Sequence, residues 1–177
     1  MQKLLFLLCF IALVIACNNP KKETNEASEN VAKSTINLPY TPSYSSSFEM
    51  GNPAYATMIV QGSWKDWEEN KLDNMKNWVA DTIVAYQSND EVIKGLDSLM
   101  ARWKQGRAGY TSVIDTLDAV LPVYSTDKKE NWVLVWATEI NTKQDGSKDT
   151  VSVMETWRIN KSGKADLLFQ YDRNQRK

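Results

Sequence analysis

Trp132-Val133-Leu134-Val135-Trp136-Ala137-Thr138-Glu139-Ile140 decides the fold. The run is rich in β-branched and aromatic side chains, which suit a pleated surface. Gln144-Asp145-Gly146-Ser147 follows, with the Asp-Gly pair of a hairpin turn. From Thr150 to Ile159 the chain alternates. Val151, Val153, Glu155, Trp157 and Ile159 share one face, and Ser152, Met154, Thr156 and Arg158 share the other. Asn160-Lys161-Ser162-Gly163-Lys164 reads as a second turn, and Leu167-Leu168-Phe169-Gln170-Tyr171 as a third strand. One apolar run alone could be a core helix. Three runs separated by turn signals predict a meander of strands.

Upstream, the pattern changes to helices and shorter strands that would cover this sheet. Asn52-Pro53 is a helix start, with Asn as N-cap and Pro at the first helical position. Ala56, Ile59, Val60, Trp64 and Trp67 then recur on one helical face, with Gly62 marking a close approach or a bend. Leu72, Met75, Trp78 and Val79 give a short second helix. Asp81-Thr82-Ile83-Val84-Ala85-Tyr86 reads as a strand. Leu96, Leu99, Met100 and Trp103 set out an amphipathic third helix that ends between Gly106 and Gly109. Tyr110 to Val123 reads as a long strand. Asp115 and Asp118 break its alternation, predict a bulge or bend, and are expected to face solvent. Pro122 marks the strand's end or an edge.

The N-terminus addresses the compartment. Lys3 precedes an apolar run from Leu4 to Ala16, too short for an ordinary spanning helix and right for the core of a signal peptide. It ends Leu13-Val14-Ile15-Ala16-Cys17, which resembles a bacterial lipobox. The resemblance implies cleavage before Cys17 and acylation of that residue, hence a stable anchor in a lipid membrane. Asn18 rather than Asp follows Cys17, which leaves the outer membrane of the cell envelope as the expected site. Residues 18–34 are polar and charged and read as a flexible tether. Leu38-Pro39-Tyr40-Thr41-Pro42-Ser43-Tyr44 and the serines up to Phe48 read as an extended arm lying along the domain. The expected organisation is therefore a signal peptide at 1–16, a lipidated Cys17 with tether and arm at 17–50, and a folded domain at 51–177.

Composition removes whole classes of chemistry. The 177 residues contain no His and two Cys, one of them, Cys9, inside the signal segment. Ser-His-Asp and Cys-His catalysis, imidazole-bound metals and an internal disulfide of the mature chain are thereby excluded. A formal net charge of −1, with no basic patch, argues against a nucleic-acid partner. The reading assigns no metal and no cofactor.

The order of elements from Pro53 to Asp172 resembles the NTF2-like superfamily, in its SnoaL-like and ketosteroid-isomerase-like branch. The matching stretches are Trp78 to Tyr86, Val92-Ile93-Lys94-Gly95-Leu96, Glu155-Thr156-Trp157-Arg158-Ile159 with Ser162-Gly163-Lys164, and Tyr171-Asp172. The resemblance implies an α+β cone: a curved, mostly antiparallel sheet packed on about three N-terminal helices, with an internal pocket, and a homodimer through the sheet. It carries catalytic residues over poorly. The general-base position falls at Tyr86 or Gln87, the oxyanion-hole Tyr near Ser63, and only the oxyanion-hole acid keeps its type, at Glu155. Without a base beside it no proton abstraction is complete.

The expected ligand-binding residues are Tyr86, Trp103, Trp136, Glu155 and Trp157, lining a pocket for a small, partly apolar molecule. The leading reading is a non-catalytic, membrane-anchored binding domain. One rival is an isomerase- or cyclase-like enzyme with Glu155 as acid and Tyr86 or Asp81 as its second group. The other is a dimeric interaction module whose cavity is filled by its own tryptophans. Asp81 is otherwise expected to cap or end the second helix.

Overall fold

The computed structural model describes residues 38–174, so the signal segment, Cys17 and the tether lie outside the described residues. The meander is present as three long strands: β5 (Glu130–Lys143), β6 (Lys148–Ile159) and β7 (Ala165–Asn174). Gly146 and Gly163 take positive φ of 80° and 78° in the two connecting turns, a backbone region costly for any side chain with a Cβ. Before the meander come β1 (Phe48–Met50), β2 (Val79–Tyr86), β3 (Val92–Lys94) and β4 (Tyr110–Ser125). All seven form one sheet in the order β1-β4-β5-β6-β7-β2-β3, antiparallel except for β2 beside β7.

Three helical segments cover the sheet's concave face. The first runs from α1 (Pro53–Ile59) through a π-helical turn (Val60–Lys65) into α2 (Asp66–Glu68). Asn52 caps it: its side-chain oxygen accepts from the Ala54 amide at 2.9 Å. The second is a 3-10 turn (Leu72–Asn74) leading into α3 (Met75–Trp78), and the third is α4 (Leu96–Arg107). Gly62 sits in the π turn because a Cβ there would lie 2.4 Å from the Trp78 ring. The close approach read from the sequence is therefore its reason.

Two expectations fail. Asp81 neither caps nor ends a helix; it stands within β2, exposed, and α3 ends before it, at Trp78. Asp115 does not face solvent. It pairs in register with Glu139 on the concave side of the sheet, and both its carboxylate oxygens are buried without a partner among the described residues. Asp118 is the extra residue of a bulge between Leu117 and Ala119, and it is exposed.

The core lies between the helices and the concave face, and tryptophans build much of it. Trp78 packs edge-on against Trp157 at 5.2 Å, Trp157 against Trp103 at 6.1 Å, and Trp103 against Trp67 at 6.0 Å. Arg107 ties the helices to the sheet. Buried at the end of α4, it donates to the carbonyls of Trp67 and Tyr110 at 2.9 Å and of Glu68 at 3.1 Å. Five guanidinium donors in a rigid fork suit one buried residue that must answer three carbonyls. The arm is also fixed: β1 pairs with Val123, Tyr124 and Ser125, and Ser45 donates to Asp127 at 2.5 Å.

Candidate ligand cavity

Between helices and sheet the cone is not filled. A cavity of about 440 Å³ remains, within the range usual for small-molecule sites. Trp64 and Trp67 come from the first helical segment, Trp103 and Gly106 from α4, and Tyr110 from the start of β4. The facing wall is strand: Glu139 and Asn141 of β5, Asp149 to Glu155 of β6 through alternate residues, and Gln170 and Asp172 of β7. Gln87, Ser88, Asn89 and Arg102 complete the lining.

Glu155 lies at the centre of this wall and is 2% exposed. Its Oε2 accepts from Ser63 Oγ at 3.0 Å and Trp157 Nε1 at 2.9 Å, and its Oε1 from Gln170 Nε2 at 3.0 Å. Burial raises its pKa, and these three donors pull it back. Among the described residues no cation partners it. Ser63 stands on the π turn, whose extra residue changes the helical phase at that point. Of the positions carried over from the resemblance, Ser63 and Glu155 are in direct contact, and Gln87 rather than Tyr86 lines the cavity.

A second acidic group was not foreseen. Glu139 continues the concave face of β5 beyond Val133, Val135 and Ala137, and accepts from the Asn141 side-chain amide. Burial raises its pKa, opposed first by Asn141 and then by the Trp67 indole. Directly across the strand pair, Asp115 is pushed up to about 8, chiefly by burial and then by the charge of Glu139. Among the described residues no three His, Cys, Asp or Glu side chains gather closely enough to hold a metal ion.

The structure divides the expected ligand-binding residues. Trp103 and Glu155 line the cavity together. Trp157 is fully buried behind Glu155 and acts on the cavity only by donating to that carboxylate. Trp136 stands on the opposite, convex face, because antiparallel pairing sets Val135 opposite Glu155 and Trp136 opposite Met154. Tyr86 also lies on the convex side, stacked on Phe169 with ring centroids 5.0 Å apart. The acid–second group pair of the enzyme rival is therefore not assembled: neither Tyr86 nor Asp81 lines the cavity with Glu155. The interaction-module rival, with indoles filling the cone, is set aside by the cavity itself.

The convex face carries a separate, apolar groove of about 680 Å³, lined among others by Phe48, Leu134, Leu167, Phe169 and Tyr171. Tyr44 of the arm closes one end, edge-on against Trp132 at 5.8 Å and donating to Glu130.

No protein-family model and no curated protein matches the sequence. Solved structures do match. An NTF2-like protein of unknown function from Exiguobacterium sp. 255-15 is 16% identical, with 70% of this chain and 98% of that one covered and a TM-score of 0.53. A SnoaL-like protein of unknown function from Burkholderia thailandensis E264 is 12% identical, covering 71% and 99%, at 0.53. An epoxide hydrolase from Mycobacterium tuberculosis of the LEH-like type is 13% identical, covering 68% and 84%, at 0.53. At such identities likeness speaks for the fold alone, and that fold, a seven-stranded curved sheet closed on three helical segments, is the NTF2-like cone.

Proposed function

We propose that this chain is an envelope-anchored lipoprotein whose NTF2-like domain binds a small, partly apolar ligand in its cone without turning it over. The observation that carries the binding is the cavity itself: about 440 Å³, walled by indoles on one side and by hydrogen-bonding side chains on the other. The state of Glu155 speaks against turnover. Both its oxygens are engaged by fixed donors, so it orients and shapes the site rather than offering a free acid. The anchor rests on Leu13-Val14-Ile15-Ala16-Cys17 and on the polar tether after it. The apolar convex groove supports a homodimer joined through the sheet.

Native mass spectrometry of the full chain, extracted from its own envelope, tests the binding. A retained small-molecule mass that is lost in Trp103→Ala is the expected result. An empty wild-type protein that also fails to bind any member of a fragment library overturns the reading. The anchor has its own test. Cys17→Ser should abolish lipid labelling and release the chain from the membrane fraction, and unchanged partition counts against the lipid.

A further inference from the structure

We infer that the cavity selects a ligand bearing a primary ammonium group, seated between the Glu139 carboxylate and the Asn141 side-chain oxygen against the Trp67 and Tyr110 rings. The inference rests on the reading of the cone as a small-molecule site and names the class of molecule it takes. Its ground is the balance of charges and partners around the cavity. Four carboxylates line the cavity, from Glu139, Asp149, Glu155 and Asp172, against one guanidinium, from Arg102. Most are already answered. Asp149 is paired with Lys143 at 2.5 Å, Asp172 accepts from Ser88, Glu155 has its three donors, and Arg102 is spent on Glu91 at 2.9 Å.

Glu139 is the exception. It has no ion pair among the described residues: its hydrogen bond comes from the Asn141 amide, the Trp67 indole lies beside it, and the Arg107 guanidinium, spent on three backbone carbonyls, acts on it only through its field. Asn141 supplies the independent second observation. It is 2% exposed, it lines the cavity, and with its amide nitrogen turned to Glu139 its Oδ1 meets no donor among the described residues. A buried acceptor without a donor is costly, and so is a buried charge without a counter-charge. Asp115, across from Glu139 and likewise without a partner among the described residues, is itself pushed up to about 8 by burial and by the charge of Glu139, so it holds its proton at neutral pH and supplies no cation to Glu139. An anionic ligand would be repelled here. A neutral hydroxyl would answer Asn141 and leave the charge of Glu139. An ammonium with three N–H donors answers both, and aromatic walls add a cation–π contribution.

The test is a titration of the full chain, followed by tryptophan fluorescence, with three ligands of one ring: cyclohexylammonium, cyclohexanol and cyclohexanecarboxylate. The ammonium is expected to bind at least tenfold more tightly than the alcohol, and the carboxylate most weakly. Glu139→Gln should weaken the ammonium tenfold or more and the alcohol less than twofold. The wild-type protein gives a measurement free of any folding defect in that variant. Its ammonium affinity should rise with pH as Glu139 loses its proton above the ordinary carboxylate range, while alcohol affinity stays flat. The charged groups around the Glu139 and Asp115 pair are Asp149 and Glu155 on β6, Asp172 on β7, Lys65 on the π turn, Glu68 on α2 and Arg107 on α4. Alcohol or carboxylate binding as tight as the ammonium, and sensitive to Trp103→Ala, overturns the charge selection and leaves the cavity reading standing. Failure of all three ligands to bind counts against both.

Discussion

Asp115 shows how one carboxyl, misjudged from its position in the chain, bears on stability. Its ordinary pKa of 3.8 is carried to about 8 in the folded protein, first by burial and then by Glu139. Between those two values the native state holds a proton that the unfolded chain has released. Stability from this group is therefore fully present at low pH and is lost as pH rises from about 4 towards 8. Asp115→Asn removes the titration and keeps the shape. Thermal melts at pH 5 and pH 8 should show the variant gaining on wild type as pH rises, by on the order of 1 kcal/mol after discounting for partial solvent screening. A stability difference that is the same at both pH values rules out the buried, protonated acid. The sequence hid this residue because exposed Thr116, Leu117 and Asp118 and the bulge beside it blur the alternation of β4. Glu139 was hidden differently. Trp132, Leu134 and Trp136 make both faces of β5 apolar, so nothing local says which face is inside. Only the register with β6, which aligns Val135 with Glu155, does so. The same missing register put Trp136 in the cavity by sequence and outside it in fact. Glu155 was legible because its own strand alternates cleanly.

At the scale of elements, the π turn at Val60–Lys65 decides what the first helical segment presents to the cavity. It buries Gly62, Ser63 and Trp64 in succession, a run that a regular helix facing one way would not bury. Ser63 is thereby brought to Glu155, and Gly62 to the Trp78 ring. Gly62→Ala discriminates between packing and propensity. Helix propensity alone favours the alanine by about 1 kcal/mol. The added Cβ, however, meets the Cε2 and Nε1 atoms of a buried indole at 2.4 Å, and that indole is packed against Trp157. Overpacking of this kind costs about 1–3 kcal/mol. The urea midpoint should fall, and a raised midpoint would mean that the ring has room to move. The helix start at Asn52-Pro53, the third helix, the turns and the meander were all legible, because caps, glycines and periodicity are local signals. The short strands β1 and β3 were not. Three residues each, they exist by pairing with distant partners, β1 with Val123 to Ser125 and β3 with Val84 to Tyr86.

Among the described residues, the cavity and the groove lie on opposite faces of one sheet, and the faces differ in character. The concave cavity is lined by carboxylates, amides and indoles. The convex groove is lined by Phe48, Leu134, Leu167, Phe169 and Tyr171, with Arg158 as the one charged residue of its lining among the described residues. Tyr171, at 60% exposed, and Phe48, at 48%, are large side chains left in water, and contiguous patches of that kind mark interaction surfaces. Self-association through this face follows as an outcome that can be measured. A two-fold contact sets the same patch on both subunits, so one substitution acts twice. Tyr171→Glu touches no core position, and as a surface change should alter the monomer's own stability by less than about 0.5 kcal/mol. In sedimentation experiments the wild-type protein should therefore run as a dimer and the variant as a monomer. The melting temperature should rise with protein concentration for wild type only, because binding that favours the native state adds to its stability by mass action. A wild-type melting temperature independent of concentration, with monomeric sedimentation, would assign the groove to a different partner. It would leave the cavity untouched, since the two surfaces share no lining residue.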